Sequence, residues 1–170
     1  MKKRLNTQLE SEGAEFLVLG HLLIEGISAY KAYHNFKSYD LIANNPDLNK
    51  SVKIQIKSRF TTNWNGFLIN DFNCDFVVFV ALNRGYKKIK KNGDKGILPP
   101  NFYVFPADYL ENLPRTEEWG KIKKTSFWED AVNFENNWGQ IKDKLNELPC
   151  NHPTSKTTEK TNSPSTLVSK

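Results

Sequence analysis

From Val52 to Arg59 the chain alternates without a slip: Val52, Ile54 and Ile56 fall on one side, Lys53, Gln55, Lys57 and Arg59 on the other. A period of two is that of a β-strand, so one face is apolar and the opposite face polar and basic. Upstream, Tyr39, Leu41 and Ala43 share one side of a second run, with Asp40 on the other and Ile42 interrupting the pattern. The connector Asn44-Asn45-Pro46-Asp47 is dense in turn formers. An antiparallel hairpin is the economical reading. It sets a carboxylate beside an amide and an ammonium.

What such a hairpin can belong to is bounded by size. A chain of 170 residues that is 38% hydrophobic supports one sizeable core. Residues 1–150 are expected to form one domain. The net charge of +5 and a pI near 9.1 fit either a polyanionic partner or plain solubility. Cys74 and Cys150 lie far apart with no CxxC spacing, which indicates neither a disulfide framework nor a structural zinc and points to a reducing, cytoplasmic setting. No apolar run approaches the length of a membrane span, and Lys2-Lys3-Arg4 leads into polar residues instead of a signal-peptide core. A soluble protein without membrane association is expected.

In chain order, Thr7-x-x-Glu10 has the form of a capping box, and Phe16, Leu17, Leu19, Leu22, Leu23 and Ile24 follow before Gly26. A helix is expected there, its broad apolar stripe buried against a sheet. Glu15 lies within that stripe and either faces solvent or points at a site. Residues 27–34 read as a first strand and 60–73 as loop. Asp75 to Leu82 is an apolar run unbroken after its leading aspartate, the signature of a strand buried on both faces and the expected sheet centre. Residues 83–100, with Lys87, Lys88 and Lys95 among them, read as an exposed basic loop, either solvated or in contact with phosphate. Phe102–Phe105 is a further strand, 107–113 one or two helical turns, and 121–127 ambiguous. Phe134, Trp138, Ile141, Leu145 and Leu148 recur at helical spacing and predict one last helix with a core-facing stripe. Residues 151–170 are rich in Ser and Thr and poor in aliphatics, so a disordered tail is expected.

The hairpin's polar residues suit a divalent, oxygen-loving cation. Magnesium takes carboxylate, carbonyl and water ligands and keeps several waters. Asp40 is the candidate anionic ligand, with the Gln55 side-chain oxygen and the Ile56 carbonyl completing the protein's share. Lys57, on the same face as Gln55, is placed to orient or deprotonate a water or to stabilise charge on a phosphoryl oxygen.

Gly13-Ala14-Glu15 in the first helix, Tyr39-Asp40, Gln55-x-Lys57 and the Asp75-led apolar strand, in that order, resemble the PD-(D/E)XK nuclease superfamily in its Gln-x-Lys branch, near the homing endonucleases associated with group I introns. The similarity covers about Ser11 to Phe105. It implies an α/β, restriction-endonuclease-like core with a mixed central β-sheet flanked by helices. It also implies a magnesium-dependent DNA endonuclease in which Asp40 binds metal, Gln55 stands where an acid is usual, Lys57 is catalytic, and Glu15 supports the metal or its water. An amide at position 55 removes one negative charge from the site, and Tyr39 occupies the place of the proline that names the motif. Lys53, Arg59, Lys87 and Lys88 are the candidate contacts to DNA phosphates, and a homodimer or higher homo-oligomer is expected if both strands are cut. The alternatives are a non-catalytic DNA-binding relative of the fold, or a protein-interaction module using the basic loop.

Overall fold

Strand alternation and turn chemistry produce the expected hairpin. The computed structural model describes residues 7–32 and 38–147. In it β1 (Ala29–Lys31), β2 (Leu41–Asn45) and β3 (Lys50–Arg59) pair antiparallel in succession. The turn falls at residues 46–49, two positions later than the sequence suggested, because Asn44 and Asn45 still pair with Ser51 and Lys50. The Asn45 Oδ1 accepts the amides of Asp47 and Leu48, and Asn49 adopts a left-handed φ of 50°, which asparagine tolerates better than most residues.

A short strand β4 (Gly66–Leu68) follows, and then β5 (Phe76–Ala81), buried throughout its length. β5 runs parallel to β3 on one side and antiparallel to β6 (Asn101–Pro106) on the other. The main sheet is thus five-stranded and mixed, in the order β1-β2-β3-β5-β6. α1 (Thr7–Ile24) precedes the sheet. α2 (Ala107–Glu111), β7 (Lys121–Lys123), α3 (Ala131–Phe134) and α4 (Gly139–Asn146) complete the described chain.

The unbroken apolar run of β5 is explained by a core on each face of the sheet. Val78 and Val80 pack with Ile54, Ile56, α1 and α4, while Val77, Phe79 and Ala81 pack with Trp64, Phe67, Ile122 and Phe127. The second layer rests on β4 pairing with β7. That pairing was not legible in a segment read as loop, since three-residue strands carry too little periodicity. Gly66 permits it: its φ is 132°, and a Cβ there would stand 2.1 Å from the Ile122 carbonyl oxygen.

Two expectations are corrected. In α1 only Ala14, Val18 and Leu22 are fully covered, so the broad stripe is not buried: Phe16, Leu17, Leu23 and Ile24 face outward. The last helix is not continuous either. Asn136 takes a φ of 51° and donates its amide to the Phe102 carbonyl, which separates α3 from α4. Phe134 therefore packs in one core, and Trp138, Ile141 and Leu145 in the other. Leu148, the expected tail at 151–170 and the last two residues of the strand expected at 27–34 lie outside the described residues.

Candidate active site

Asp40 sits one residue ahead of β2 and is pinned from both sides. Its amide donates to the Ile54 carbonyl and its carbonyl accepts from the Ala32 amide, each at 2.9 Å. On β3 the odd-numbered residues bond the β5 side, as when the Lys53 carbonyl accepts from Asp75 and the Arg59 carbonyl from Leu82. Ile56 therefore turns its amide and carbonyl toward the opposite edge, past the start of β2. The Asp40 Oδ2 accepts that amide at 2.6 Å. Burial pushes the Asp40 carboxyl above its ordinary range, against the lowering effects of this hydrogen bond and of the Lys57 and Lys31 charges.

Continuing the Leu41–Ile54 register by one step places Gln55 across from Asp40. Gln55 is only 4% exposed, and its Oε1 is buried with no hydrogen-bond partner. Such an oxygen costs about 1–3 kcal/mol if nothing satisfies it. The strand face expected to be basic and open is thus partly closed: Gln55 is buried, and Lys53, Lys57 and Arg59 are half-buried.

Glu15 reaches the same neighbourhood from α1. Burial raises its pKa first and the Asp40 charge adds to this, while Lys31 opposes both. The Glu15 Oε2 lies 2.8 Å from the Lys31 Nζ, and Glu12, one turn earlier, also ion-pairs with that ammonium. Lys31 is 9% exposed. Burial alone would lower its pKa, but the two carboxylates hold it above the ordinary lysine value. Sequence reasoning missed this residue. The available signal was the Glu12/Glu15 pair at i,i+3, which presents two acids on one helix face and calls for a cation.

Lys57 is half-buried, and its charge opposes the burial that raises Asp40 and Cys74 and adds to the lowering of Asp71. The four predicted residues are therefore linked: Glu15 to Asp40 and Asp40 to Lys57 through their charges, Asp40 to the strand carrying Gln55 through the Ile56 amide. Ser38 donates to Asp71 at 2.5 Å beside them. The Cys74 thiol takes the Gln55 amide, and burial pushes it up to about 11, so it stays protonated at neutral pH. Asp75 ties the start of β5 to β3, since its Oδ2 accepts the Lys53 amide at 2.7 Å.

The candidate phosphate contacts divide. The Lys53 ammonium lies 5.5 Å from the Tyr39 ring centroid. Arg59 braces β4 by donating from Nε to the Gly66 carbonyl at 2.9 Å. It also lines a groove of about 970 Å³ together with Arg84, Lys87 and Lys95. Lys88 is exposed on the same loop but does not line the groove.

Among the described residues no three His, Cys, Asp or Glu side chains form a metal cage. The donor set nevertheless fits a cation of magnesium's kind, which needs few protein ligands. The Glu15 carboxyl feels the Asp40 charge, and a buried amide oxygen has no hydrogen-bond partner.

No protein-family model and no curated protein matches the chain. Among solved structures, a bacterial homing endonuclease, I-Ssp6803I, superposes over 82% of this chain and 94% of its own, with a TM-score of 0.50 and 22% sequence identity. The chain shares that endonuclease's fold. The Holliday junction resolvase Hjc of Archaeoglobus fulgidus aligns over 71% of this chain and 88% of its own, with a TM-score of 0.43 and 16% identity. The mixed sheet flanked by helices is thus a restriction-endonuclease-like α/β core. No helix among the described residues is long and apolar enough to cross a membrane.

Proposed function

We propose that this chain is a magnesium-dependent DNA endonuclease of the PD-(D/E)XK superfamily, in its Gln-x-Lys branch. The observation that carries the reading is the buried, partnerless Gln55 Oε1 on the strand whose Ile56 amide is held by Asp40. An oxygen kept dry and unsatisfied costs stability unless a ligand takes it, and a cation also held by a carboxylate is the ligand that suits it. Asp40, Gln55, the Ile56 carbonyl and Glu15 would hold magnesium, which when bound polarises a water for attack on a backbone phosphorus and shares the developing negative charge.

The residues have separable roles. Asp40 supplies fixed negative charge, oriented by the Ile56 amide. Lys57 holds a proton donor and positive charge next to that carboxylate, where it orients the attacking water or stabilises a phosphoryl oxygen. Glu15 leans toward the site while Lys31 fixes its orientation. The groove lined by Arg59, Arg84, Lys87 and Lys95 offers a track for the phosphate backbone. One site serves one strand, so a homodimer or higher oligomer is proposed, and the outward apolar residues of α1 are a surface of the right character for it.

Supercoiled plasmid incubated with magnesium is expected to be nicked or linearised by the protein, with cleavage lost on adding EDTA and in Lys57→Ala. Plasmid left intact under all conditions, with DNA binding indifferent to chelator, would instead identify a non-catalytic DNA-binding relative.

A further inference from the structure

A second cavity, of about 430 Å³, lies off the small sheet and is lined by Trp64, Trp128, Asn65, Lys121, Lys123 and Lys124 among others. That volume falls within the range of small-ligand sites. Its two indoles form a corner, with ring centroids 6.2 Å apart and planes at 73°. They are mounted differently. Trp64 is 7% exposed and wedged against Phe79 and Phe127, so it is a rigid wall. Trp128 is 47% exposed. The Lys124 ammonium stands over both rings, at 4.3 Å and 3.6 Å from their centroids.

The rim around this corner is basic: Lys121, Lys123 and Lys124 line it, and no acidic side chain does. Lys121 is held by Asn65, and its ammonium is disfavoured by burial and by the nearby charges of Arg59, Lys87 and Lys123. A group of like charges gathered this closely suits a polyanion. The cavity also shares the Trp64–Asn65 wall with the groove of Arg59, Arg84 and Lys87. A strand whose phosphates follow that groove would pass the mouth of the aromatic corner.

Paired bases offer only their edges to a protein, because their faces are stacked on one another. An indole face set beside a phosphate track is useful to a base that has left the stack. We propose that the corner formed by Trp64 and Trp128 receives an unpaired nucleobase of the DNA strand lying in the adjoining groove, so that the chain engages DNA carrying extrahelical or single-stranded nucleotides in preference to a fully paired duplex. The Lys124 ammonium, which stands over both rings when no base is bound, gives way to the base and turns with Lys121 to the flanking phosphates. This inference rests on the proposed DNA substrate, but not on cleavage.

The test is fluorescence anisotropy in EDTA with one labelled duplex, either fully paired or carrying a short bulge of unpaired thymines. Wild type is expected to bind the bulged duplex roughly 5- to 150-fold tighter, the range for one base–aromatic stack. Trp128→Ala should remove that margin while leaving affinity for the paired duplex unchanged, and Trp128→Phe should keep most of it. Equal binding of both duplexes by wild type would overturn the inference and leave the nuclease reading standing. So would a margin that survives Trp128→Ala, or an equal weakening of both duplexes in that variant. Failure to bind either duplex would overturn the nuclease reading along with it.

Discussion

The Asp40 carboxylate accepts the Ile56 amide proton at 2.6 Å, taking the place of the next residue of a strand that begins only at Leu41. One side chain thus closes the sheet edge and is also the proposed metal ligand, and two substitutions separate these roles. Asp40→Ala leaves a half-buried amide without its acceptor and should cost about 1–3 kcal/mol. Asp40→Asn keeps an acceptor oxygen and removes a buried charge. In EDTA at neutral pH it should be as stable as wild type or more so, by about 0.5–2 kcal/mol, the scale gained on relieving a destabilised functional site. Both should lose DNA cleavage. Thermal melts beside a plasmid assay check this.

The pH dependence follows from two raised acids. Asp40 and Glu15 stand above their ordinary values of 3.8 and 4.5, in each case chiefly through burial. A carboxyl raised on folding binds its proton more tightly in the folded chain than in the unfolded one. The stability it contributes is full below the unfolded value and is lost as pH rises through the folded value. In EDTA, the stability of Asp40→Asn relative to wild type should therefore grow as pH climbs from about 4 toward neutrality. Urea midpoints measured across that interval provide the check, and a flat difference would show that Asp40 ionises without penalty.

At Lys57 the account predicts a catalytic loss without a binding loss. Lys57→Ala should lower the cleavage rate by about 10²- to 10⁴-fold, the usual range for a positioned proton-transfer group. DNA affinity in EDTA should change little, because the groove supplies the phosphate contacts. Single-turnover cleavage and anisotropy on the same preparation separate the two.

Lys31 holds Glu12 and Glu15 together from within the structure. Lys31→Met keeps the aliphatic stem but leaves the carboxylates facing one another, and should destabilise the protein by about 2 kcal/mol, as for hydrogen bonds to charged groups. Added magnesium should recover part of that loss in Lys31→Met and less in Lys31→Met combined with Glu15→Gln. Melting temperatures with and without the ion report it.

Arg84 and Lys87 line the groove and play no part in the chemistry proposed above. Replacing both by Ala should weaken binding to all DNA sequences alike and reduce the slope of log affinity against log salt by roughly 2. Titrations at several salt concentrations measure that slope.

How much of this was legible in the sequence differs by element. The hairpin and β5 were readable because their alternation and uniform burial are long enough to stand above chance. Asp40, Gln55 and Lys57 stood out as polar residues in strand positions. The burial of Gln55 was hidden, since tertiary packing sets it and strand alternation does not reveal it. α1 misled in the other direction: Phe16 and Leu23 look like core residues, yet both are about half exposed, Phe16 meeting the Lys31 ammonium with its ring. Lys31 was obscured because its partners lie on a helix and their approach is set by tertiary packing. The aromatic corner was hidden for the same reason: Trp64 is buried and Trp128 half exposed, and only the fold brings the two indoles together.

The convergence of Glu15, Asp40 and Gln55 on one cation is tested most directly by manganese binding in the absence of DNA, measured calorimetrically as a stand-in for magnesium. Wild type and Lys57→Ala should each bind about one ion per chain, with binding weakened in Gln55→Leu and lost in Asp40→Ala. Manganese binding of equal strength in wild type and Asp40→Ala would contradict the site.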